Sequence, residues 1–159
     1  VKEYASYFDT VYVSLYKYFG ASGGAVLCGS AEVIDKMALL IKVHGGTIYS
    51  NWLNAAMAIH RLDGFEERQK EVIVRSKELI LGLNNINGLQ MSMLDNGTNI
   101  HLLKLPKSID GAKFQDKLFK EFNIKIGRPD EQNELKMTMN ETLLYMDVKD
   151  IVDVFRKFI

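Results

Sequence analysis

Short apolar runs in the first part of the chain are followed by apolar residues at helical spacing. Residues 10–15 and 25–28 are β-branched or apolar runs on either side of a glycine-rich segment, which predicts two strands and a turn. Residues 31–44, 51–62 and 65–83 repeat apolar positions every three or four residues, which predicts three helices. The apolar side expected for the middle helix consists of Trp52, Ala55, Ala56 and Ile59.

The pattern changes after the turn signal at residues 84–88. Asp95-Asn96-Gly97 is typical of a hairpin turn between two alternating runs, and Asp110 and Asp147 are suited to cap helices. The strands predicted for this part cover residues 89–94, 98–105, 124–126 and 135–139. The order β-β-α-β-β-α predicts an antiparallel sheet layered with helices.

The turn signal at residues 84–88 is also the best candidate for a domain boundary. We expect residues 1–87 to extend the edge of a larger, mostly parallel sheet and to include the linking helices. Residues 88–159 should form a small α+β domain.

Composition and charge restrict the function. Twenty basic and twenty acidic residues give a net charge of zero, so nothing indicates binding to nucleic acid or to an anionic membrane. The only cysteine, Cys28, excludes an internal disulfide, fits a reducing, cytoplasmic compartment and is expected to be buried in an apolar strand. The three histidines share no metal-ligand spacing, so no metal site is predicted.

Lys17 is the strongest candidate for chemistry, because it comes just after the first predicted strand. Five of the seven residues from 19 to 25 are Gly or Ala, and such small residues let the backbone approach a ligand closely. Burial would favour the neutral amine, which is a usable nucleophile. The alternative is an ordinary solvated lysine.

This segment carries a family resemblance. Lys17-Tyr18-Phe19-Gly20-Ala21, followed by Gly24-Ala25-Val26-Leu27, resembles the Schiff-base lysine segment of the threonine aldolase and β-eliminating lyase family. The resemblance implies an α/β chain that is the C-terminal part of a PLP-dependent transferase-like fold: the edge of the large domain plus a small α+β domain with an antiparallel sheet. It implies pyridoxal 5′-phosphate (PLP) as cofactor, Lys17 as catalytic residue, and retro-aldol cleavage or β-elimination of an amino acid.

The same resemblance implies residues that bind the cofactor phosphate. Ser14 would supply a hydroxyl, and the pair Gly45 and Gly46 would lie near the phosphate. Tyr49 stands where the family has an arginine, and a tyrosine supplies a hydrogen bond without a charge. From the residues alone, Gly45 and Gly46 predict a helix stop followed by a turn, and the alternative is a backbone anion site before the next helix.

For the substrate carboxylate, the resemblance implies Lys136. This lysine stands where the family has an arginine, and it keeps the charge without the bidentate fork. Arg128 is a competing anchor. Alternation along the strand makes Lys136 equally an outward, solvated residue.

Only two acidic residues, Glu3 and Asp9, precede Lys17, whereas the PLP ring nitrogen needs a carboxylate partner. We therefore expect residues 1–159 to be the C-terminal portion of a longer polypeptide and inactive alone. The complete protein would act on an amino acid substrate as a homodimer or homotetramer. The alternative is a non-catalytic α/β domain for binding or oligomerisation, with Lys17 merely solvated.

Overall fold

The computed structural model describes residues 2–159 and contains six α-helices and five strands in that range. The helices are α1 (Lys2–Ala5), α2 (Ala31–Val43), α3 (Trp52–Leu62), α4 (Phe65–Asn84), α5 (Gly111–Phe122) and α6 (Val148–Arg156). The strands are β1 (Thr10–Ser14), β2 (Ala25–Gly29), β3 (Gln90–Met93), β4 (Ile100–Lys104) and β5 (Glu134–Thr138).

The chain forms two compact units that divide between Phe65 and Glu66. This division lies earlier than the boundary expected at residues 87 and 88. The reason is α4, whose buried side chains Val72, Leu79 and Leu83 belong to the core of the second unit. The division at residues 87 and 88 concerns the lobes of a longer protein, and it stays a prediction.

The first unit is built on an antiparallel hairpin of β1 and β2, with Thr10 opposite Gly29 and Ser14 opposite Ala25. Both strands were predicted. Its buried hydrophobic residues, among those the structure describes, are Leu15, Ala21 and Ala58. The prediction for Cys28 was wrong, since this side chain is exposed. Strand β2 pairs only with β1 among the described strands, so its apolar sequence does not bury it.

The second unit is a three-stranded antiparallel sheet in the order β3-β4-β5, combined with helices α4, α5 and α6. Alternate residues of β4 and β5 enter one core, as predicted from their period of two, whereas in β3 Met91 is buried and Met93 is exposed. The largest fully buried side chains of this core are Leu79, Leu83, Leu103, Leu118, Leu135 and Phe155.

Two of the predicted helix caps of this unit are confirmed. A carboxylate oxygen of Asp110 accepts hydrogen bonds from the backbone N–H groups of Ala112 and Lys113 at 3.0 and 3.1 Å. The hydrogen bond from the Lys113 backbone is the main cause that lowers the pKa of Asp110. Asp147 accepts from the backbone of Lys149 at 2.8 Å. Each cap satisfies N–H groups that have no partner within the helix.

The strand predicted at residues 124–126 does not form. Gln115 Nε2 donates to the Ile126 carbonyl at 2.8 Å, so a helix side chain takes the bond that a strand ladder would need. The contact with β5 begins at Gly127, whose N donates to Lys136 O at 2.7 Å, and continues with a single bridge at Pro129 and a hydrogen bond from Asp130 N to Glu134 O at 2.9 Å. Ile126 is nevertheless buried in the core, which explains its apolar character.

Candidate active site

Lys17 lies just beyond the end of β1, on the loop that joins β1 to β2. The side chain is exposed, so the condition of burial, on which activation of its amine depended, is not met in this structure. Its Nζ lies 5.9 Å from the centre of the Tyr16 ring, within range of a cation–π contact. Ser14, at the end of β1, is half-buried. The arrangement leaves a primary amine accessible to a carbonyl compound.

The loop that carries Lys17 has a defined backbone. Leu15 N donates to Gly24 O at 3.0 Å, which extends the hairpin ladder by one pair. Ala21 N donates to Leu15 O at 3.1 Å, and Gly20 N donates to Lys17 O at 3.3 Å. Gly20 and Gly24 have φ values of +64° and +88°, a conformation that favours glycine. The Gly-Ala composition seen in the sequence therefore serves a tightly folded loop.

Helix α3 supports this loop through a face that sequence reasoning missed. Ala58 is buried with Leu15 and Ala21, and Asn54 and Asn51 lie one and two turns before it. The Asn54 Oδ1 accepts hydrogen bonds from both the backbone and the side chain of Ser22. The sequence does contain a signal for this face: Asn51, Asn54 and Ala58 follow one another at spacings of three and four, which places them on one side of a helix.

The apolar side predicted for α3 was wrong. Trp52 and Ile59 are each 70% exposed, and Ala55 and Ala56 are also exposed. Ala55 and Ile59 instead line an open groove of about 430 Å³, whose other walls come from the hairpin and the Lys17 loop. The residues of that groove are Val13, Leu15, Phe19, Val26, Ala55, Ala58, Ile59 and Leu62.

A second groove, of about 670 Å³, lies between the hairpin and α2. It is lined in part by Tyr12, Tyr16 and Gly46. Gly46, which was predicted to lie near the cofactor phosphate, therefore shares this groove with Tyr16, the residue before Lys17. Partial desolvation raises the pKa of Tyr12, and the charge and hydrogen bond of Tyr16 add to that effect. A groove of this size is suited to a small ligand.

The backbone N–H groups of the Gly45-Gly46 pair are used by the end of α2. Gly45 N donates to Lys42 O at 3.1 Å, and Gly46 N donates to Ile41 O at 2.8 Å. This geometry is that of a helix stop, the first of the two interpretations of this pair. Tyr49 is fully exposed and does not line the groove. Phosphate binding by these residues stays a prediction.

Lys136 and Arg128 lie in the second unit, and both are exposed. Lys136 occupies an outward position of β5, opposite Leu102 of β4. The hydrogen bond from Gly127 N to Lys136 O brings the backbone before Arg128 alongside β5. The structure therefore places the two candidate carboxylate anchors in one region of this unit.

Other features of the described residues limit the chemistry. No group of three or more His, Cys, Asp or Glu side chains within residues 2–159 could hold a metal ion. In that same range, no helix has the length and apolar character needed to cross a membrane.

Comparison with known sequences adds a family match. The sequence model of the beta-eliminating lyase family matches residues 1–108. A low-specificity L-threonine aldolase of Candida albicans is 44% identical over 63 residues, which is 40% of this chain and 17% of that protein.

Comparison with solved structures shows the fold. A protein of Exiguobacterium described as an aromatic amino acid beta-eliminating lyase/threonine aldolase has a TM-score of 0.77 and 18% identity, covering 99% of this chain and 47% of its own. An L-allo-threonine aldolase structure from Listeria monocytogenes has a TM-score of 0.76 and 19% identity, covering 99% and 45%. An alanine–glyoxylate aminotransferase of Nostoc has a TM-score of 0.62 and 18% identity, and the match covers 94% of this chain and 48% of that protein.

These likenesses confirm the predicted fold class, the α/β fold of PLP-dependent transferases. The chain spans about half of the length of the solved structures that it matches.

Proposed function

This chain belongs to the beta-eliminating lyase family, and from that premise we propose that it is part of a PLP-dependent lyase that acts on amino acids. Lys17 is the residue that binds the cofactor. The reaction is retro-aldol cleavage of a β-hydroxy amino acid or β-elimination, which require the same apparatus. The 159 residues are the C-terminal portion of the enzyme, and they are inactive alone.

One observation carries this proposal: the Lys17 amine is exposed on a hydrogen-bonded loop, next to Tyr16, whose side chain lines a groove of about 670 Å³. Backbone hydrogen bonds fix the loop, so the Lys17 side chain extends from a defined backbone position. The groove is lined by Tyr12 and Tyr16, which carry phenolic hydroxyls, and by Gly46 at the end of α2. Lys17 would hold an aromatic aldehyde through its amine, and the groove beside Tyr16 would offer the aldehyde an aromatic lining.

The chemistry that PLP supplies when bound is withdrawal of electrons from the bond that breaks in the substrate. Lys17 would hold the cofactor through its amine, and the same amine would accept and return a proton at the substrate. Ser14 and Gly46 are the residues of the first unit proposed for the phosphate side, with Gly45 and Tyr49. Lys136 or Arg128 binds the substrate carboxylate by charge.

The residues around Lys17 fit only part of this cofactor, which supports a longer enzyme. Asp9 precedes β1, whereas Lys17 follows it, so the two residues lie at opposite ends of one extended strand. Asp9 therefore does not supply a carboxylate to a ring held at Lys17. We propose that the ring partner comes from a part of the protein before residue 1. The proposed complete enzyme is a cytoplasmic homodimer or homotetramer.

Trapping of PLP tests the proposal. PLP is added to the 159-residue chain and to the longer polypeptide encoded with its upstream residues, the products are reduced with borohydride, and labelled lysines are mapped by mass spectrometry. We expect the longer polypeptide to be labelled at Lys17 and to cleave a β-hydroxy amino acid. The 159-residue chain should be labelled at many exposed lysines and show no turnover.

Lys17→Arg in the longer polypeptide is the matched control, because it keeps the positive charge and removes the reactive amine. It should abolish both labelling at this position and turnover. Selective labelling of another lysine would contradict the role of Lys17. Turnover by the 159-residue chain would contradict the claim that it is inactive alone.

A further inference from the structure

We propose that Asn54 is a positioning residue for Lys17: its side-chain amide holds the loop from Lys17 to Gly24 in the conformation that presents the amine. The chemical consequence of this inference rests on the proposed function, whereas the structural part does not.

The Asn54 Oδ1 is the acceptor for two donors of the loop. Ser22 N lies 3.1 Å from this oxygen and Ser22 Oγ lies 3.0 Å from it. The two residues are 32 positions apart in sequence, so these bonds connect α3 to the loop rather than stabilise a local turn. A single side-chain oxygen thus fixes both the backbone and the side chain of Ser22.

The orientation of that oxygen is itself fixed. Asn54 Nδ2 donates to Asn51 Oδ1 at 2.6 Å, one helical turn earlier on the same face of α3. Asn51 in turn lies close to Gly24, where an added Cβ would come within 2.9 Å of its Nδ2. The two asparagines therefore meet the loop at Ser22 and at Gly24.

The other half of the loop is anchored by buried apolar residues and by backbone hydrogen bonds. Ala21 is buried against Leu15 and Ala58, and its N–H donates to the Leu15 carbonyl. Lys17 lies between Leu15 and Ala21, and its carbonyl accepts from Gly20 N. Release of Ser22 would remove two of the hydrogen bonds that hold the segment from Lys17 to Gly24, so its opening should become easier, although the hairpin ladder, Ala21 and the contact of Phe19 with Phe65 remain.

Chemistry separates the substitutions at this position. Asn54→Ala removes the acceptor and leaves the Ser22 N–H without its partner. Asn54→Asp keeps an acceptor oxygen for Ser22, and the amide of Asn51 can turn to donate to the second carboxylate oxygen. His60→Ala is the matched control, because His60 is an exposed polar residue of the same helix.

Two site-specific measurements on the 159-residue chain test the inference: the rate of tryptic cleavage after Lys17 and the rate of hydrogen exchange at the Ser22 amide. We expect Asn54→Ala to raise both rates about tenfold, as loss of two hydrogen bonds to one acceptor should. Asn54→Asp should keep both rates within about twofold of those of the parent chain, because the carboxylate still accepts hydrogen bonds from Ser22. His60→Ala should change neither rate.

Cleavage after Lys36, in α2, distinguishes a loosened loop from an unfolded unit, because this lysine does not belong to the loop. If Asn54→Ala accelerates cleavage at both lysines equally, Ser22→Ala decides, since it removes only the hydroxyl donor. We then expect cleavage after Lys17 to rise about threefold while cleavage after Lys36 is unchanged.

Unchanged rates at Lys17 and Ser22 in Asn54→Ala, or in Ser22→Ala where that variant decides, would overturn the inference. Failure of Asn54→Asp to restore the rates would overturn it as well. Absence of PLP labelling at Lys17 in the longer polypeptide would instead contradict the proposed function. The two failures are therefore distinguishable.

Discussion

His101 is a buried histidine whose environment opposes its charged form. It lies on β4, opposite Met93 of β3 and Met137 of β5, and its side chain faces the core of the second unit. Among the described residues, its Nδ1 has no hydrogen-bond partner. Desolvation by burial lowers the pKa of His101 below its ordinary value. Burial of a neutral imidazole therefore links folding to pH.

We predict that the chain loses stability as the pH falls below about 6.5, the ordinary pKa of histidine. In that range the unfolded state binds a proton that folded His101 does not, so the free energy of unfolding decreases with decreasing pH. His101→Leu should remove this part of the pH dependence. Urea unfolding of the second unit between pH 5 and 8 measures it, and an unchanged slope in the variant would show that His101 is not responsible.

Lys136 carries a prediction about substrate binding. In the longer polypeptide, Lys136→Ala should raise KM for the amino acid about tenfold or more, because a hydrogen bond to a charged group is lost. Stability should change by less than about 0.5 kcal/mol, since Lys136 is an exposed strand residue. Lys107→Ala, at another exposed position of the same unit, is the control. Unchanged kinetics would remove Lys136 from the site and favour Arg128.

At the scale of elements, the Lys17 loop and the end of α2 use glycines in the left-handed region for different reasons. Gly24 has a φ of +88°, and an added Cβ there would come within 2.9 Å of Asn51 Nδ2, so Asn51 would have to shift. Gly45 has a φ of +71°, and nothing lies within 4 Å of where its Cβ would be. Both positions impose backbone strain on any other residue, but only Gly24 adds a steric conflict.

We therefore predict that Gly45→Ala destabilises the first unit by about 1–2 kcal/mol, the cost of backbone strain alone. Gly24→Ala should cost distinctly more, because Asn51 must move and its bond from Asn54 must break. Trp52, the only tryptophan, lies on α3 and reports on this unit, so urea unfolding followed by its fluorescence measures both variants. Equal effects would contradict the close contact between Gly24 and Asn51.

At the scale of the whole molecule, the two units differ in how much apolar surface they bury. The second unit has a continuous core formed by α4, the sheet, α5 and α6. The first unit buries three hydrophobic residues among those described. It leaves many large apolar side chains exposed, including Tyr12, Val26, Leu40, Trp52, Ile59 and Leu62. Where such side chains adjoin, as Val26, Ile59 and Leu62 do along one groove, exposed apolar surface marks an interaction surface or an aggregation hazard.

We predict that residues 66–159 fold on their own and are more stable than the first unit, because their core is larger. The fragment of residues 66–159 should unfold cooperatively in urea with a stability of about 5–10 kcal/mol. In the 159-residue chain, the first unit should unfold at a lower urea concentration than this fragment. Circular dichroism on the fragment and Trp52 fluorescence on the 159-residue chain measure the two transitions. Unfolding of the first unit at the same or a higher urea concentration would contradict the prediction.

Local chemistry determined much of this protein without reference to the rest of the chain. The caps at Asp110 and Asp147 and the two strands beside the Lys17 loop follow from residue type and short-range spacing. Such features depend on contacts within about four residues, so a single sequence contains them. The resemblance around Lys17 pointed to the fold in the same way, because it concerns one continuous segment.

The tertiary structure alone decided which faces meet and where the units divide. Helix α3 presents Asn54 and Ala58 to the loop and leaves Trp52 exposed, although hydrophobicity favoured the opposite. The segment at residues 124–126 forms no strand ladder, because the Ile126 carbonyl accepts a hydrogen bond from the Gln115 side chain on α5 instead. Cys28 is exposed because no described residue packs closely enough on its face of the hairpin to bury it. In each case the energy of burial or hydrogen bonding depends on a partner distant in sequence, and periodicity within one element contains no information about that partner.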